Sequence, residues 1–246
     1  MGRVWCFSIL AVLTVVSTGC KTDQATKTAE QMDSRATEGT NERYSTPPAP
    51  NATVYPKATA AADSRPVLVC FGDSLTAGYG ADPGQSYPDF LQTDLNRQGY
   101  KYRVMNEGIS GDTTKDGLDR VDDVIQLKPA VVVVEFGGND GLRGVPIADS
   151  RANLDAILAR LTGAGIKVAL AGMTLPPDYG PDYIKQFDET YVLLSKKYHA
   201  PMIPFLLKNV YGVPGLMQAD NTHATDVGNK IVAANVFPLV APFLKR

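Results

Sequence analysis

The sequence predicts an α/β fold, a five-stranded parallel sheet with helices on both faces, in one domain over residues 65–246. Three observations carry this expectation. Short apolar runs alternate five times with segments of helical periodicity. One run, AVVVVEF at 130–136, is continuously β-branched, as a strand covered on both faces is. Polar, glycine-containing loops follow the first three runs. Parallel strands need crossover connections, and helical crossovers supply the two covering layers.

The elements follow in order. PVLVCF at 66–71 predicts the first strand. SYPDFLQTDLNRQG at 86–99 predicts a helix, with Tyr87, Phe90, Leu91 and Leu95 on one face and Gly99 as its stop. YRVMNEG at 102–108 predicts the second strand, and DGLDRVDDVIQLKP at 116–129 a helix with Leu118, Val121, Val124 and Ile125 inward and Pro129 ending it. The valine strand is third and central. SRANLDAILARLTGAG at 150–165 predicts a helix closed by Gly163 and Gly165. IKVALAGM at 166–173 is the fourth strand, 182–199 a helix, PMIPF at 201–205 a short fifth strand, and 224–244 the last helix. No internal repeat is present.

Ahead of this domain lie two segments of different character. Residues 1–20 place Arg3 before an apolar run from Val4 to Val16 and end in small residues, the pattern of a secretory signal. The run is shorter than the roughly 20 residues that a membrane-spanning helix needs. The ending STGC resembles the lipobox of bacterial lipoproteins, with Cys20 as the lipidated residue, although Ser17 stands where that motif carries Leu, Val or Ile. Cleavage near Cys20 without a lipid is the alternative. Residues 21–64 hold no Leu, Ile, Phe or Trp and are rich in Thr, Ala, Glu, Lys and Pro, which predicts a disordered linker. The chain is therefore expected to be exported to the cell envelope or periplasm, touching the membrane only through a lipid on Cys20.

Composition excludes other classes. With 24 Lys and Arg against 26 Asp and Glu, no excess positive charge favours a nucleic-acid partner. Of three cysteines only Cys70 lies in the domain, so no internal disulfide is available, and its place in an apolar strand reads as packing.

In a parallel sheet, functional groups gather beyond the carboxyl ends of the strands. Four polar loops fall there: GDSL after the first strand, NEGISGD after the second, GGNDGLRG after the third, and ADNTHATD before the last helix. Serine is a weak nucleophile and needs a base held by a third group. Ser74 sits in the first loop, and His223 follows Asp220 by three residues, a spacing that can bring carboxylate to imidazole. The other histidine, His199, ends a predicted helix, where a cation is commonplace. A tetrahedral intermediate also needs hydrogen-bond donors, for which the Ser74 amide, the Gly111 amide and the Asn139 side chain are candidates. A carboxylate at Asp73 would oppose the charge developing beside it, so a local loop hydrogen bond is expected there. Asp140 and Arg143 are expected to shape their loop, and Asp112 and Asp116 make no metal constellation.

FGDSLTAGYG, NEGISGDTT, GGNDGLRG and DNTH together resemble the four ordered blocks of the SGNH, or GDSL, hydrolases, over residues 67–246. EFGGNDGLRG and LPPDYG are most similar to the periplasmic multifunctional thioesterase, protease and lysophospholipase (arylesterase) group. The resemblance implies a three-layer α/β/α sandwich with its strands in flavodoxin-like order. It implies Ser74 as nucleophile, His223 as base, Asp220 as its partner, and Ser74, Gly111 and Asn139 as the oxyanion hole. It further implies an acyl groove lined by the loop from Leu142 to Pro146 and by LPPDYG at 175–180, with Leu142, Val145 and Pro176 among the lining residues. Ala224 departs from the family, which commonly carries proline after the histidine. The implied activity is that of a monomeric serine esterase on small acyl esters, lysolipids or thioesters, without cofactor or metal. Rival readings are a carbohydrate O-acetyl esterase on the same scaffold and a non-catalytic envelope lipoprotein that binds lipid or glycan. Nucleotide binding falls short, because GDSLTAGYG lacks the GxGxxG spacing.

Overall fold

The computed structural model describes residues 63–246. The signal, the Cys20 lipidation site and all but the last two residues of the 21–64 linker lie outside the described residues.

Five strands form one parallel sheet: β1 (Val67–Gly72), β2 (Arg103–Gly108), β3 (Val131–Glu135), β4 (Lys167–Ala171) and β5 (Met202–Ile203), in the order β2-β1-β3-β4-β5. The helices are α1 (Ser74–Ala77), α2 (Tyr87–Arg97), α3 (Thr114–Gln126), α4 (Gly138–Leu142), α5 (Ile147–Gly163), α6 (Pro181–Tyr198) and α7 (Asp226–Val240). α2 packs with α7 as one layer, and α5 packs with α3 and α6 as another. The sandwich and its flavodoxin-like strand order agree with the expectation. Val131 to Val134 are wholly buried, which is why β3 shows no polar alternation. In α2, Tyr87, Leu91 and Leu95 are buried and Phe90 packs at the margin.

The differences are local and have physical causes. α1 and α4, of four and five residues, are too short to show a helical period. α3 begins at Thr114 rather than 116, because Thr113 and Asp116 form a capping box. α5 begins at Ile147, directly after Pro146. α7 begins at Asp226, where the Thr225 hydroxyl accepts the Gly228 N–H. β5 shrinks to two residues between Pro201 and Pro204, neither of which can donate to a ladder.

The carboxyl ends of β1, β2 and β3 meet in register, with Gly72 opposite Gly108 on one side and Glu135 on the other. Both glycines are required by close approach. A Cβ on Gly108 would overlap the backbone of Ala77, and one on Gly72 would overlap Thr76 and Glu135. β1 can thus turn at once into α1, and Ser74 is set at the rim.

Candidate active site

Ser74 is the first residue of α1, and Asp73 is its N-cap, accepting the Leu75 N–H at 3.0 Å. The reading of Asp73 as a loop hydrogen-bonder therefore holds. The other half of the site comes from the loop before α7. Asp220 Oδ1 accepts the N–H groups of Thr222 and His223 at 2.9 and 3.0 Å, which folds Asp220–His223 into a tight turn with Asn221 at a φ of 54°. That turn sets Asp220 Oδ2 at 2.7 Å from His223 Nδ1, while His223 Nε2 lies 2.8 Å from Ser74 Oγ. The carboxylate fixes the proton on Nδ1 and leaves Nε2 free to accept the serine proton. Burial acts to raise the Asp220 carboxyl, but the His223 ring and the two backbone donors outweigh it and hold the group at about 2. The Tyr79 ring lies against the imidazole, centroids 4.6 Å apart and planes tilted by 42°.

Asn139 stands on α4, which starts after Gly137 in left-handed conformation (φ 116°), where a Cβ would overlap the Tyr191 hydroxyl. Its Nδ2 donates to the Asp112 carbonyl at 2.9 Å and to Asp73 Oδ2 at 3.1 Å. An amide nitrogen carries two hydrogens, so both are engaged here. Arg143 Nη2 donates to the Gly111 carbonyl at 3.0 Å, and Gly111 has a φ of 91°. Among the described residues, neither the Ser74 nor the Gly111 N–H has a hydrogen-bond acceptor. The site therefore offers two unengaged backbone donors beside an amide held by its neighbours.

A buried acidic pair underlies the nucleophile. Glu135 ends β3 fully buried, its Oε2 accepting the Asp73 N–H at 3.2 Å and the Thr76 hydroxyl at 2.9 Å, with Oε1 unpartnered. Burial, reinforced by the adjacent Asp73, pushes Glu135 well above the usual carboxylate range. Burial also raises Asp73, to about 6. Glu135 was not anticipated, though an acid closing an all-valine strand is a readable signal.

Other polar and titratable residues have local structural partners. Asp140 accepts from the Thr114 N–H at 2.8 Å, the Thr114 hydroxyl at 2.5 Å and the Ser150 hydroxyl at 3.0 Å, which fixes its loop. Asp112 pairs with Arg120 at 2.7 Å, and Asp116 caps Thr113. Among the described residues no cluster of His, Cys, Asp or Glu could hold a metal. His199 caps the far end of α6. Cys70 is buried in β1, and burial raises its thiol to about 12.

A groove of about 300 Å³ opens beside Ser74 and His223. Leu142 and Pro176 line it as expected, together with Met173, Leu175, Phe205, Leu207 and Tyr211. Val145 does not line it. Its N–H donates to the Asp140 carbonyl at 2.9 Å and its carbonyl accepts the Tyr183 hydroxyl at 3.4 Å, so it serves the loop instead. Leu175 belongs to the LPPDYG loop expected to line the groove. The lining residues not anticipated are Met173, Phe205, Leu207 and Tyr211, and the signal for them was the apolar side chains that follow β4 and β5.

A parallel sheet with a serine, an imidazole and a carboxylate in line at its carboxyl edge defines a serine hydrolase of the α/β/α sandwich class. The profile of the GDSL-like Lipase/Acylhydrolase family matches residues 70–231, and the chain belongs to that family. Esterase TesA of Pseudomonas aeruginosa is 42% identical over 178 residues, covering 72% of this chain and 89% of that one. Thioesterase 1/protease 1/lysophospholipase L1 of Escherichia coli strain K12 is 38% identical over 165 residues, 67% of this chain and 76% of its own. A crystal structure of TesA superposes with a TM-score of 0.70 at 41% identity, covering 72% of this chain and 99% of that one.

Proposed function

We propose that this chain hydrolyses acyl esters through an acyl-enzyme formed on Ser74. The supporting observation is the unbroken line from Asp220 through His223 to Ser74, at 2.7 and 2.8 Å. Ser74 Oγ attacks the ester carbonyl as His223 Nε2 takes its proton. The tetrahedral oxyanion is met by the Ser74 and Gly111 N–H groups and by Asn139, whose amide turns partly from the Asp112 carbonyl or Asp73 toward the new charge. His223 then protonates the leaving alcohol or thiol. Water, deprotonated by the same imidazole, attacks the acyl carbon; the bond to Ser74 Oγ breaks, His223 returns the proton to that oxygen, and the carboxylic acid leaves. Each step uses the chain's own groups, so the reading calls for no cofactor or metal.

The groove supports an apolar acyl chain, because Leu142, Met173, Leu175, Pro176 and Phe205 line it. Its volume lies at the lower end of the roughly 300–1,000 Å³ typical of small-molecule sites, which favours short to medium chains. Arylesters, thioesters and lysophospholipids fit this description, and the names of the related enzymes point the same way. The N-terminal sequence supports an exported enzyme held to the envelope by a lipid on Cys20, and mass spectrometry of the membrane-extracted chain tests that attachment.

The function is tested with nitrophenyl esters of increasing chain length, using wild type and Ser74→Ala. Turnover extending to medium chains and abolished in Ser74→Ala supports the proposal. Cleavage of acetate alone turns the reading to a carbohydrate O-acetyl esterase, and wild-type inactivity turns it to a binding lipoprotein.

A further inference from the structure

Gln218 lies five residues before His223, and three hydrogen bonds from it close a circuit through the reacting pair. Its N–H donates to the His223 carbonyl at 2.8 Å. Its Nε2 donates to the Ala224 carbonyl at 2.9 Å and to the Tyr79 carbonyl at 2.7 Å. Tyr79 belongs to the Ser74 segment, since its own N–H donates to the Ser74 carbonyl at 3.0 Å. One carboxamide thus joins the segment that carries the serine to the peptide that follows the histidine, and both of its hydrogens are used.

Two further observations mark this contact as specific. Gly80, at a φ of 72°, lies against the carboxamide, and a Cβ there would overlap the Gln218 side-chain oxygen. Ala224, in an isolated antiparallel bridge with Met217, has no ring to fix its φ, so the exit of the chain from His223 must be held from outside. The same two segments are also tied away from the imidazole. The Asp82 N–H donates to Asp226 at 3.2 Å and Asn229 to the Gln85 carbonyl at 2.9 Å. Loss of the carboxamide therefore loosens the register of His223 on Ser74 without parting the segments.

We propose that Gln218 is a positioning residue for hydrolysis, its carboxamide clamping the Tyr79 and Ala224 carbonyls so that His223 Nε2 stays within proton-transfer distance of Ser74 Oγ. This rests on the reading of Ser74 as nucleophile and His223 as base. Small displacements of a reacting pair cost up to about 100-fold in rate. The test uses the full chain as Gln218→Met, which keeps the length of the side chain and loses its donors, and as Gly80→Ala, which displaces the carboxamide while leaving Gln218 in place.

For each variant, kcat and KM on a nitrophenyl ester, the rate of Ser74 phosphonylation by a fluorophosphonate, and Tm are measured. The expected result is a kcat lower by about 10- to 100-fold, a phosphonylation rate lower in step, KM unchanged and Tm near that of wild type. A folded Gln218→Met with wild-type kcat overturns the proposal, as does a loss of rate that only tracks lost folded protein. If Gln218→Met does not fold, Gly80→Ala decides by the same readings. Activity surviving in Ser74→Ala would instead overturn the esterase reading itself, and the clamp with it.

Discussion

Asp73 makes stability depend on pH in a direction opposite to that of most carboxylates. Its side chain is almost wholly buried and its pKa is raised to about 6 from 3.8. A carboxyl with a higher pKa in the folded state binds more protons there, so its stabilising contribution is complete below pH 3.8 and is lost as pH rises through about 6. The rise from 3.8 to about 6 corresponds to about 3 kcal/mol. Asp73→Asn removes the titration. The asparagine oxygen can still accept from Leu75 or Asn139 but serves both less well, at a cost of about 1 kcal/mol at every pH. Relative to wild type, the variant should therefore be less stable by about 1 kcal/mol near pH 4 and more stable by about 2 kcal/mol at pH 8. Urea unfolding of both proteins at the two pH values gives the difference directly; groups remote from Asp73 cancel, and Glu135, which Asp73 helps to hold high, moves the difference in the same direction. A wild-type-to-variant difference that stays constant between pH 4 and 8 would refute the argument that burial holds this carboxyl high.

Other expectations follow from single contacts. Glu135→Gln should flatten the decline of stability at alkaline pH, because a buried acid held well above its usual range also loses stability as pH rises; thermal melts at pH 5 and pH 9 check it. Asn139→Ala should lower kcat by about 100- to 1,000-fold with little change in KM, read by steady-state kinetics. Leu142→Trp should narrow the groove and shift preference toward shorter acyl chains, seen in the ratio of kcat/KM for butyrate and octanoate esters. Gly108→Ala should fail to fold or melt far below wild type, because its Cβ meets backbone rather than a movable side chain; circular dichroism during heating shows which.

The layers of the fold were legible because burial writes a pattern. Val131 to Val134 have no solvent face and read as an unbroken run, while Tyr87, Leu91 and Leu95 recur at helical intervals. The two short helices left no such trace. α1 exists because Asp73 caps it and Gly72 lets Glu135 and Thr76 close in, and α4 because Gly137 can take a positive φ. At the site, Ser74, Asp220 and His223 were readable because their chemistry needs those side chains, and Asp220–His223 is a local turn. The supporting contacts were not readable. Glu135 beneath Asp73, Gln218 on Tyr79, and Tyr79 on His223 join residues far apart in the chain, and nothing in local spacing announces such a meeting. Val145 lies outside the groove lining for a related reason. An apolar residue after a catalytic loop can face the groove or its own loop, and here the Asp140 carbonyl and the Tyr183 hydroxyl bind its backbone away from the groove.

Hydrolysis requires that Ser74 Oγ be made nucleophilic by the imidazole 2.8 Å away. Its most direct measurement is rapid quenching of the protein with a nitrophenyl ester, followed by mass spectrometry of the peptide that carries residue 74, in wild type and in His223→Ala. An acyl group on Ser74 in wild type, forming slower by three orders of magnitude or more without the imidazole, is the predicted result. Turnover with no acyl group on Ser74, or acylation at an equal rate in His223→Ala, would contradict it.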